Sequence, residues 1–125
     1  GGTISFPGDD LPQARDELAA VSSNSYGYFG GGTNGPSYTS RTRRLDFSNH
    51  TFSAPGNLLL SATKDSMAAT ESNSYGYFAG GDGPPPSPSP ISVNTVERLD
   101  FSSETVSLPG NNLPAAREDM AAVSN

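Results

Sequence analysis

The chain has 125 residues, of which 14 are Gly and 11 are Pro, and its formal net charge at pH 7 is −6. Its length allows a single domain, no apolar run approaches the ~20 residues of a membrane-spanning helix, and the absence of Cys excludes disulfides, thiol catalysis and Cys-based zinc sites. With one His and an acidic balance, the chain fits neither a Ser-His-Asp hydrolase nor a binder of nucleic acid or anionic membranes.

Internal repetition is the strongest pattern in the sequence. Residues 24–29 read Asn-Ser-Tyr-Gly-Tyr-Phe and recur unchanged at 73–78, and residues 44–48, Arg-Leu-Asp-Phe-Ser, recur at 98–102. Each copy also has a glycine doublet and a basic residue ahead of a small apolar segment, namely Gly31, Gly32, Gly80 and Gly81 for the doublets and Arg15, Lys64 and Arg117 for the basic position. A repeat of about 50 residues is typical of propeller blades and other stacked arrays.

In chain order, the segments of a unit predict short strands separated by turns. Residues 12–21 contain good helix formers, yet we predict a turn and a strand there, because the repeat context favours four strands per unit. The aromatic segment 26–29, bounded by glycines, predicts the next strand. Residues 95–101 alternate, with Leu99 on one face and Arg98 on the other, and residues 105–108 predict a further short strand before Pro-Gly. The sequence therefore predicts an all-β fold.

The units do not complete a ring. Their approximate bounds are 1–15 (partial), 16–64, 65–117 and 118–125 (partial), with a Pro-rich insert at 83–90. Propellers typically have about four to eight blades. The expected strands at 3–6 and 120–124 would be orphans, and exposed strands are templates for pairing. We therefore expect a piece of a longer array, a processed product, or a subunit completed by neighbouring copies.

The unit resembles a kelch repeat. The resemblance rests on a basic turn residue, an aromatic strand followed by Gly-Gly, and an acidic residue near the end of the next strand, at Asp46 and Asp100. The sequence departs from the kelch pattern at the residue before that Asp, which is Leu45 or Leu99 instead of Tyr, and at the Trp position, which holds Phe52 or Val106. The resemblance implies about two and a half four-stranded β-propeller blades, open or completed by neighbouring copies. The repeat wording is also similar to repeat proteins of marine bacteriophages and aquatic metagenomes.

These patterns favour a structural role. We expect a repeat module of an extracellular or virion surface assembly that self-associates through blade stacking or strand completion, as a homo-oligomer or filament. Stacking would bury six side chains between sheets: Tyr28, Leu45, Phe47, Tyr77, Leu99 and Phe101. Two alternatives remain open, a glycosylated self-assembling extracellular filament subunit and a glycan- or receptor-binding module of a phage tail fibre. We expect no enzyme and no cofactor, because clustered acids and a His set are absent.

Several positions are candidates for ligands or modification. Asn49 begins an Asn-His-Thr sequence that fits N-glycosylation, and the Pro-rich insert resembles O-glycosylated or hydroxyproline-rich stretches. The insert residues are Pro84, Pro85, Pro86, Ser87, Pro88, Ser89 and Pro90. Arg41, Arg43 and Arg44 form a basic cluster that could bind a carboxylate, sulfate or phosphate, with Arg41 and Arg43 as the candidate ligands. The alternative is a solvated loop in which Arg44 pairs with Asp46. Aromatic rings at 26, 28, 75 and 77 could face sugars, although burial is the simpler expectation. No calcium-loop pattern is present.

Overall fold

The computed structural model describes residues 2–6, 8–55, 65–83 and 91–124, and their regular structure consists of β-strands only. Four strands form a first sheet and four form a second sheet. The first sheet contains β1 (Ala19–Ser22), β2 (Tyr26–Gly30), β5 (Thr42–Asp46) and β6 (Phe52–Ser53). The second contains β7 (Ala68–Glu71), β8 (Tyr75–Ala79), β11 (Val96–Asp100) and β12 (Thr105–Ser107). The prediction of an all-β fold is confirmed.

Both sheets have the same topology. In each, the strands lie side by side in chain order and every neighbouring pair is antiparallel. The register also repeats, because Tyr28 pairs with Arg44 in the first sheet and Tyr77 pairs with Arg98 in the second. The repeated sequence therefore produces the same pairing twice.

A two-stranded hairpin extends from each sheet between its second and third strands. In the first unit it consists of β3 (Thr33–Asn34) and β4 (Ser37–Tyr38), and in the second of β9 (Asp82–Gly83) and β10 (Ile91–Ser92). Each hairpin is tied to the segment that precedes the first strand of its unit, through bridges that join Asp16 to Thr33 and Asp65 to Asp82. The hairpins are thus equivalent parts of the two units.

The core lies where one face of the first sheet meets one face of the second. Tyr28 and Phe78 are fully buried there, and Leu99 is almost fully buried. Strand β1 contacts both β7 and β8 without pairing with either of them by backbone hydrogen bonds. Each sheet thus presents an apolar face to the other, as the alternation of side chains along strands requires.

The segments whose assignment was ambiguous or marginal have clear outcomes. Residues 12–21 form turns followed by β1, so the strand prediction is confirmed over the helical alternative. The strands expected at 3–6 and 120–124 are wrong, because neither segment is assigned as a strand. Ile4 and Phe6 are exposed, since no described strand pairs with their segment. Residues 120–124 nevertheless run beside β7, where Thr70 Oγ1 donates a hydrogen bond of 2.8 Å to the Val123 carbonyl.

The third copy of the repeat is placed on the second as the second is placed on the first. The Ser66 amide donates to the Glu17 carbonyl at 3.0 Å, and the Asp119 amide donates to the Ser66 carbonyl at 3.1 Å. All three residues have a positive φ, between 50° and 53°. The same main-chain step therefore joins successive copies.

Among the described residues, no helix has the length and apolar character needed to cross a membrane.

Candidate functional site: the joint between the sheets

The glycine doublets lie where another backbone segment passes close to the chain. Gly32 has a φ of +90°, and a Cβ there would lie 2.6 Å from the Asp16 carbonyl oxygen. Gly80 has a φ of +67°, and a Cβ there would lie 2.5 Å from the Arg117 carbonyl oxygen. Gly31 and Gly81 also have positive φ. Only glycine fits these positions without strain, so the doublets have structural roles.

The basic position of the repeat also holds the chain together. Arg15 Nη1 donates to the carbonyl oxygen of Arg41 at 3.1 Å and to that of Gly31 at 3.4 Å. Arg117 contributes through its backbone, because its carbonyl accepts a hydrogen bond from the Gly81 amide. Lys64 lies outside the described residues. Arg15 is therefore bonded to the doublet that follows it in the sequence, and Arg117 to the doublet that precedes it.

The acidic residue of the repeat shapes a turn. Asp46 Oδ1 accepts hydrogen bonds from the Ser48 amide at 2.8 Å and hydroxyl at 2.5 Å. Asp100 Oδ1 accepts the same pair from Ser102, at 2.8 and 2.6 Å. These hydroxyl hydrogen bonds hold the pKa of both carboxyl groups below the usual range. The turns that follow β5 and β11 consequently have the same conformation.

We call the contact between the sheets the joint, and its centre is formed by Tyr28 and Arg44 of the first sheet with Phe101 and Glu104 of the second. The rings of Tyr28 and Phe101 stack, with centroids 5.5 Å apart and an interplanar angle of 12°. Glu104 Oε1 accepts a hydrogen bond from the Tyr28 hydroxyl at 3.0 Å and forms an ion pair of 2.6 Å with Arg44 Nη1. One carboxylate thus ties two strands of the neighbouring sheet.

The electrostatics of the joint follow from partial burial. Burial raises the pKa of the Tyr28 phenol, and its hydrogen bond to Glu104 raises it further, so the hydroxyl stays protonated and donates. The hydrogen bond to Glu104 raises the pKa of Arg44. The side chains of Arg44 and Glu104 keep 26% and 24% of their surface exposed, so the ion pair itself contributes no more than ~1 kcal/mol. The main effects of the ion pair are to fix the position of one sheet on the other and to determine which side chains pair.

The pairing of Arg44 corrects one sequence-based alternative. Arg44 forms its ion pair with Glu104, which is 60 residues away, and not with Asp46 two residues along. Its guanidinium also lies over the Tyr26 ring, at 4.6 Å from the centroid. The reason is geometric, because the Asp46 carboxylate is occupied by the turn that begins at Ser48.

The second sheet has an outer face, which points away from the joint. This face carries the same residue types as the face of the first sheet that forms the joint. Tyr77 and Arg98 hold the positions of Tyr28 and Arg44 in the register. Arg98 lies over the Tyr75 ring at 4.7 Å, as Arg44 lies over Tyr26. Its Nε is buried and has no hydrogen-bond partner among the described residues. Tyr77 is only half-buried, although Tyr28 is fully buried.

The first sheet likewise has an outer face, formed by Gly27, Phe47 and His50, which hold the positions of Gly76, Phe101 and Glu104. Phe47 is 42% exposed and His50 is exposed. His50 and Glu104 both have a positive φ, of 60° and 53°. The two turns therefore have the same backbone shape and carry opposite side-chain chemistry.

Burial separates the six side chains that the sequence placed between sheets. Tyr28 and Leu99 are buried, and Phe101 packs against the core cluster. Leu45 and Tyr77 are half-buried, and Phe47 is exposed, so the prediction is wrong for Phe47. The physical reason is that full burial occurs where two described sheets meet.

Of the candidate ligand residues, Arg41 and Arg43 both lie near Arg15. Burial lowers the pKa of Arg15, and the positive charges of Arg43 and Arg41 lower it further. Arg43 Nε is buried without a partner among the described residues. Arg41 is exposed, and its carbonyl is held by Arg15 and the Gly31 amide. The structure thus places Arg15 beside Arg41 and Arg43, whereas Arg44 pairs with Glu104.

A polar cleft of about 460 Å³ lies between the two copies of the Asn-Ser-Tyr turn. Tyr26 and Tyr75 both reach it, whereas the fully buried Tyr28 is not available to a ligand. The lining residues are Ser23, Asn24, Ser25, Tyr26, Asn73, Ser74, Tyr75, Asp100, Phe101 and Ser102. Hydroxyl, amide and aromatic groups of this kind are suited to a neutral polar ligand.

The glycosylation candidates have different outcomes. Asn49 lies exposed in the turn after β5, where its Oδ1 accepts hydrogen bonds from the Thr51 amide at 3.0 Å and hydroxyl at 2.7 Å. The position is accessible, and its modification remains a prediction. The insert candidates at 84–90 lie outside the described residues.

The carboxyl groups of Glu17, Asp65 and Asp82 lie close together where the second unit follows the first. Asp65 is buried, and its burial together with a hydrogen bond to Glu17 and the charges of Glu17 and Asp82 raises its pKa to about 6. Asp82 is also buried. The threefold recurrence of an acid after the basic repeat position, at Asp16, Asp65 and Glu118, was the available signal. In the described part of the chain, no group of His, Asp and Glu is arranged to hold a metal ion.

No protein-family model matches the sequence, and no curated protein matches it.

Proposed function

We propose that this chain is a structural repeat module whose four-stranded sheets stack in the manner of kelch-like propeller blades and associate with further units of the same kind. One observation carries the proposal: the first sheet covers one face of the second, and residues 117–124 are joined to the second unit by the same main-chain step that joins the second unit to the first. A unit that buries its apolar face only against a neighbour is the basis of repeat architectures.

The blade interpretation is supported by the shape of each sheet. Both sheets are antiparallel meanders of four strands in chain order, and their first strands, β1 and β7, lie next to each other. Small side chains line this contact, with Ala19 and Ala68 both buried. Propeller blades place their first strands side by side near a central axis, where small residues fit.

An extracellular or virion surface is the setting that we propose for the assembly. The support is the resemblance of the repeats, together with polar turns and a single Lys in the whole sequence. The mechanism needs no chemistry beyond packing, because the joint relies on ring stacking, a buried phenol and one ion pair.

Light scattering coupled to size-exclusion chromatography tests the proposal. We expect the chain to form oligomers at high protein concentration, through its outer faces, and to dissociate on dilution. Replacing Tyr77 by Lys should abolish these oligomers, because a charge would enter a face that another sheet covers. Replacing Ser37, which is exposed on a hairpin, by Lys is the matched control. A chain that stays monomeric at every concentration would contradict the proposal.

Glycan binding is a second candidate function, and the cleft between the Asn-Ser-Tyr turns favours it. A sugar there would contact amide and hydroxyl groups and the edges of Tyr26 and Tyr75. A glycan array followed by NMR titration tests it. Replacing Asn73 by Ala should abolish binding, whereas replacing Asn34, which is exposed in the hairpin, should not. Equal binding by both variants would exclude this cleft.

A further inference from the structure

The outer face of the second sheet repeats one half of the joint. Residues 73–78 are identical to 24–29, and Arg98 lies over Tyr75 at 4.7 Å as Arg44 lies over Tyr26 at 4.6 Å. At the joint, the same arrangement receives a Phe ring against a Tyr and a carboxylate against an Arg. The outer face therefore has the shape and charge to accept another Phe-x-x-Glu turn.

We propose that Tyr77 and Arg98 form a docking surface for a further sheet of this repeat whose turn reads Phe-x-x-Glu, and that this surface discriminates against the Phe-x-x-His turn of this chain. The inference rests on the proposed function, because it names the partner that the stacked module selects. It goes further in stating that selection depends on one side chain.

The surface lacks what Glu104 supplies at the joint. Arg44 Nε donates to Ser53 Oγ at 3.2 Å and Arg44 Nη1 bonds to Glu104. Arg98 Nε has no partner among the described residues, even though Ser107 holds the register position of Ser53. At the joint the carboxylate pairs with Arg44 through Nη1, so an incoming carboxylate would pair with the Arg98 guanidinium in the same way.

The existing contacts direct a further sheet onto this surface. Residues 117–124 are already fixed to the second unit by the Gly81 amide, which donates to the Arg117 carbonyl, and by the Asp119 amide, which donates to the Ser66 carbonyl. The hydrogen bond between Ser66 and Glu17 is the equivalent contact between the first and second units. It comes before the second sheet in the chain, and in that sheet Glu104 pairs with Arg44. Continuation of the same step places the next turn of a unit over Tyr77 and Arg98.

A second copy of this chain offers a poorer match. Its outer face presents Phe47 and His50 on a turn with the backbone shape of Phe101 and Glu104. Facing Arg98, a neutral imidazole forms no ion pair and a protonated one is repelled. Arg43 stands where the second sheet has the buried Glu97, so the outer face of the first sheet differs in charge at two positions. Head-to-tail contact between copies is therefore weak.

The single substitution His50→Glu converts the turn into Phe-x-x-Glu and tests the inference. His50 is exposed, so the substitution does not disturb the core. We expect sedimentation equilibrium to show head-to-tail association about fivefold tighter than that of the wild-type chain, because a partly exposed ion pair to Arg98 is gained. His50→Gln is the neutral control and should tighten association less than His50→Glu. Thr51→Glu places the same charge one residue along and should not tighten association.

Arg98 identifies the receiving surface. In the His50→Glu background, Arg98→Gln should return association to the wild-type level, whereas Arg41→Gln, an exposed Arg elsewhere on the chain, should not. If His50→Glu and wild-type copies associate equally, the inference fails and the proposed stacking function stands. If no variant associates, both fail. If Thr51→Glu tightens association as much as His50→Glu, added charge alone explains the result and the inference is overturned.

Discussion

The two sheets contain the same Tyr-Gly-Tyr-Phe sequence in their second strands, yet the equivalent side chains have different environments. Tyr28 is fully buried, stacks on Phe101 and donates to Glu104, whereas Tyr77 is half-buried on an outer face. Local sequence fixes the register and the tyrosine–arginine pair in both sheets. Only the copy that a neighbouring sheet covers becomes part of the core. The burial of a side chain in this molecule therefore depends on the packing of one sheet against another as well as on the local sequence.

The largest difference between the copies should come from their glycines. A Cβ at Gly76 would lie 2.5 Å from Val21 Cγ2, whereas the nearest atom to a Cβ at Gly27 would be Phe47 Cε1 at 3.3 Å. We expect Gly76→Ala to lower the free energy of unfolding by about 2 kcal/mol, because the stiff Val21 side chain must move. Gly27→Ala should stay within about 0.5 kcal/mol of wild type. Urea denaturation measures both, and equal losses would show that the sheets do not meet as described.

Asp65 and Asp16 form a second pair of equivalent positions. Asp65 is buried and Asp16 is exposed. Because the pKa of Asp65 is about 6 in the folded chain and an unfolded Asp has a pKa of about 3.9, the folded state binds the proton more tightly. Its contribution to stability is therefore present below pH ~4 and is lost as the pH rises through 6.

The Asp65→Asn substitution removes the titrating carboxyl group, and with it the loss of stability as the pH rises. We expect the variant to be more stable than wild type at pH 7 by on the order of 1–2 kcal/mol and to match it near pH 4. Asp16→Asn should show no gain at pH 7. Thermal unfolding followed by circular dichroism from pH 4 to 7.5 measures the difference, and a gain for Asp65→Asn that does not vary with pH would contradict the assignment.

The tyrosine hydroxyls provide a smaller effect. Tyr28→Phe should lower the free energy of unfolding by about 1 kcal/mol, because the hydrogen bond to Glu104 is lost inside the joint. Tyr77→Phe should change it by no more than a few tenths of a kcal/mol. Both variants keep the ring, so packing is matched. Urea denaturation measures both variants. A similar loss of unfolding free energy for both would show that the Tyr28 hydroxyl at the joint contributes no more than the Tyr77 hydroxyl on the outer face.

The smallest expected effect concerns the ion pair. Glu104→Gln should cost about 0.5 kcal/mol at low salt, since both side chains are about one-quarter exposed. The cost should shrink in 0.5 M NaCl, where the Debye length falls below about 5 Å. His50→Gln, the equivalent change on the outer face, should have no measurable effect. A salt-independent cost for Glu104→Gln would indicate that the hydrogen bond to Tyr28 outweighs the charge.

Much of the fold follows from the repeats, because each copy encodes its own strands and turns. The aromatic strand became β2 and β8, the alternating strand became β11, and the glycine doublets took positive φ. The expected orphan strand at 3–6 failed because a strand needs a partner, and the segment has none among the described residues.

The joint was harder to predict than the strands. Arg44 lies two residues from Asp46 in the sequence and 60 residues from Glu104. Closeness in sequence therefore favours Asp46, which is the wrong partner. Nothing within residues 24–29 distinguishes Tyr28 from Tyr77, since the strings are identical. Asp65 could have been suspected from the recurrence of an acid in each unit, but its pKa depends on burial and on Glu17 of another unit.

The hairpin that projects from each sheet can differ in length without changing how the two sheets pack. In the first unit, two residues connect β3 to β4, and in the second, seven residues connect β9 to β10, with equivalent strand registers. The sheet that carries the longer connection still delivers Glu104 to the joint. Because loop-closure cost grows only slowly with length, the hairpin tip is a natural insertion point for a foreign epitope, tag or enzyme in an engineered scaffold.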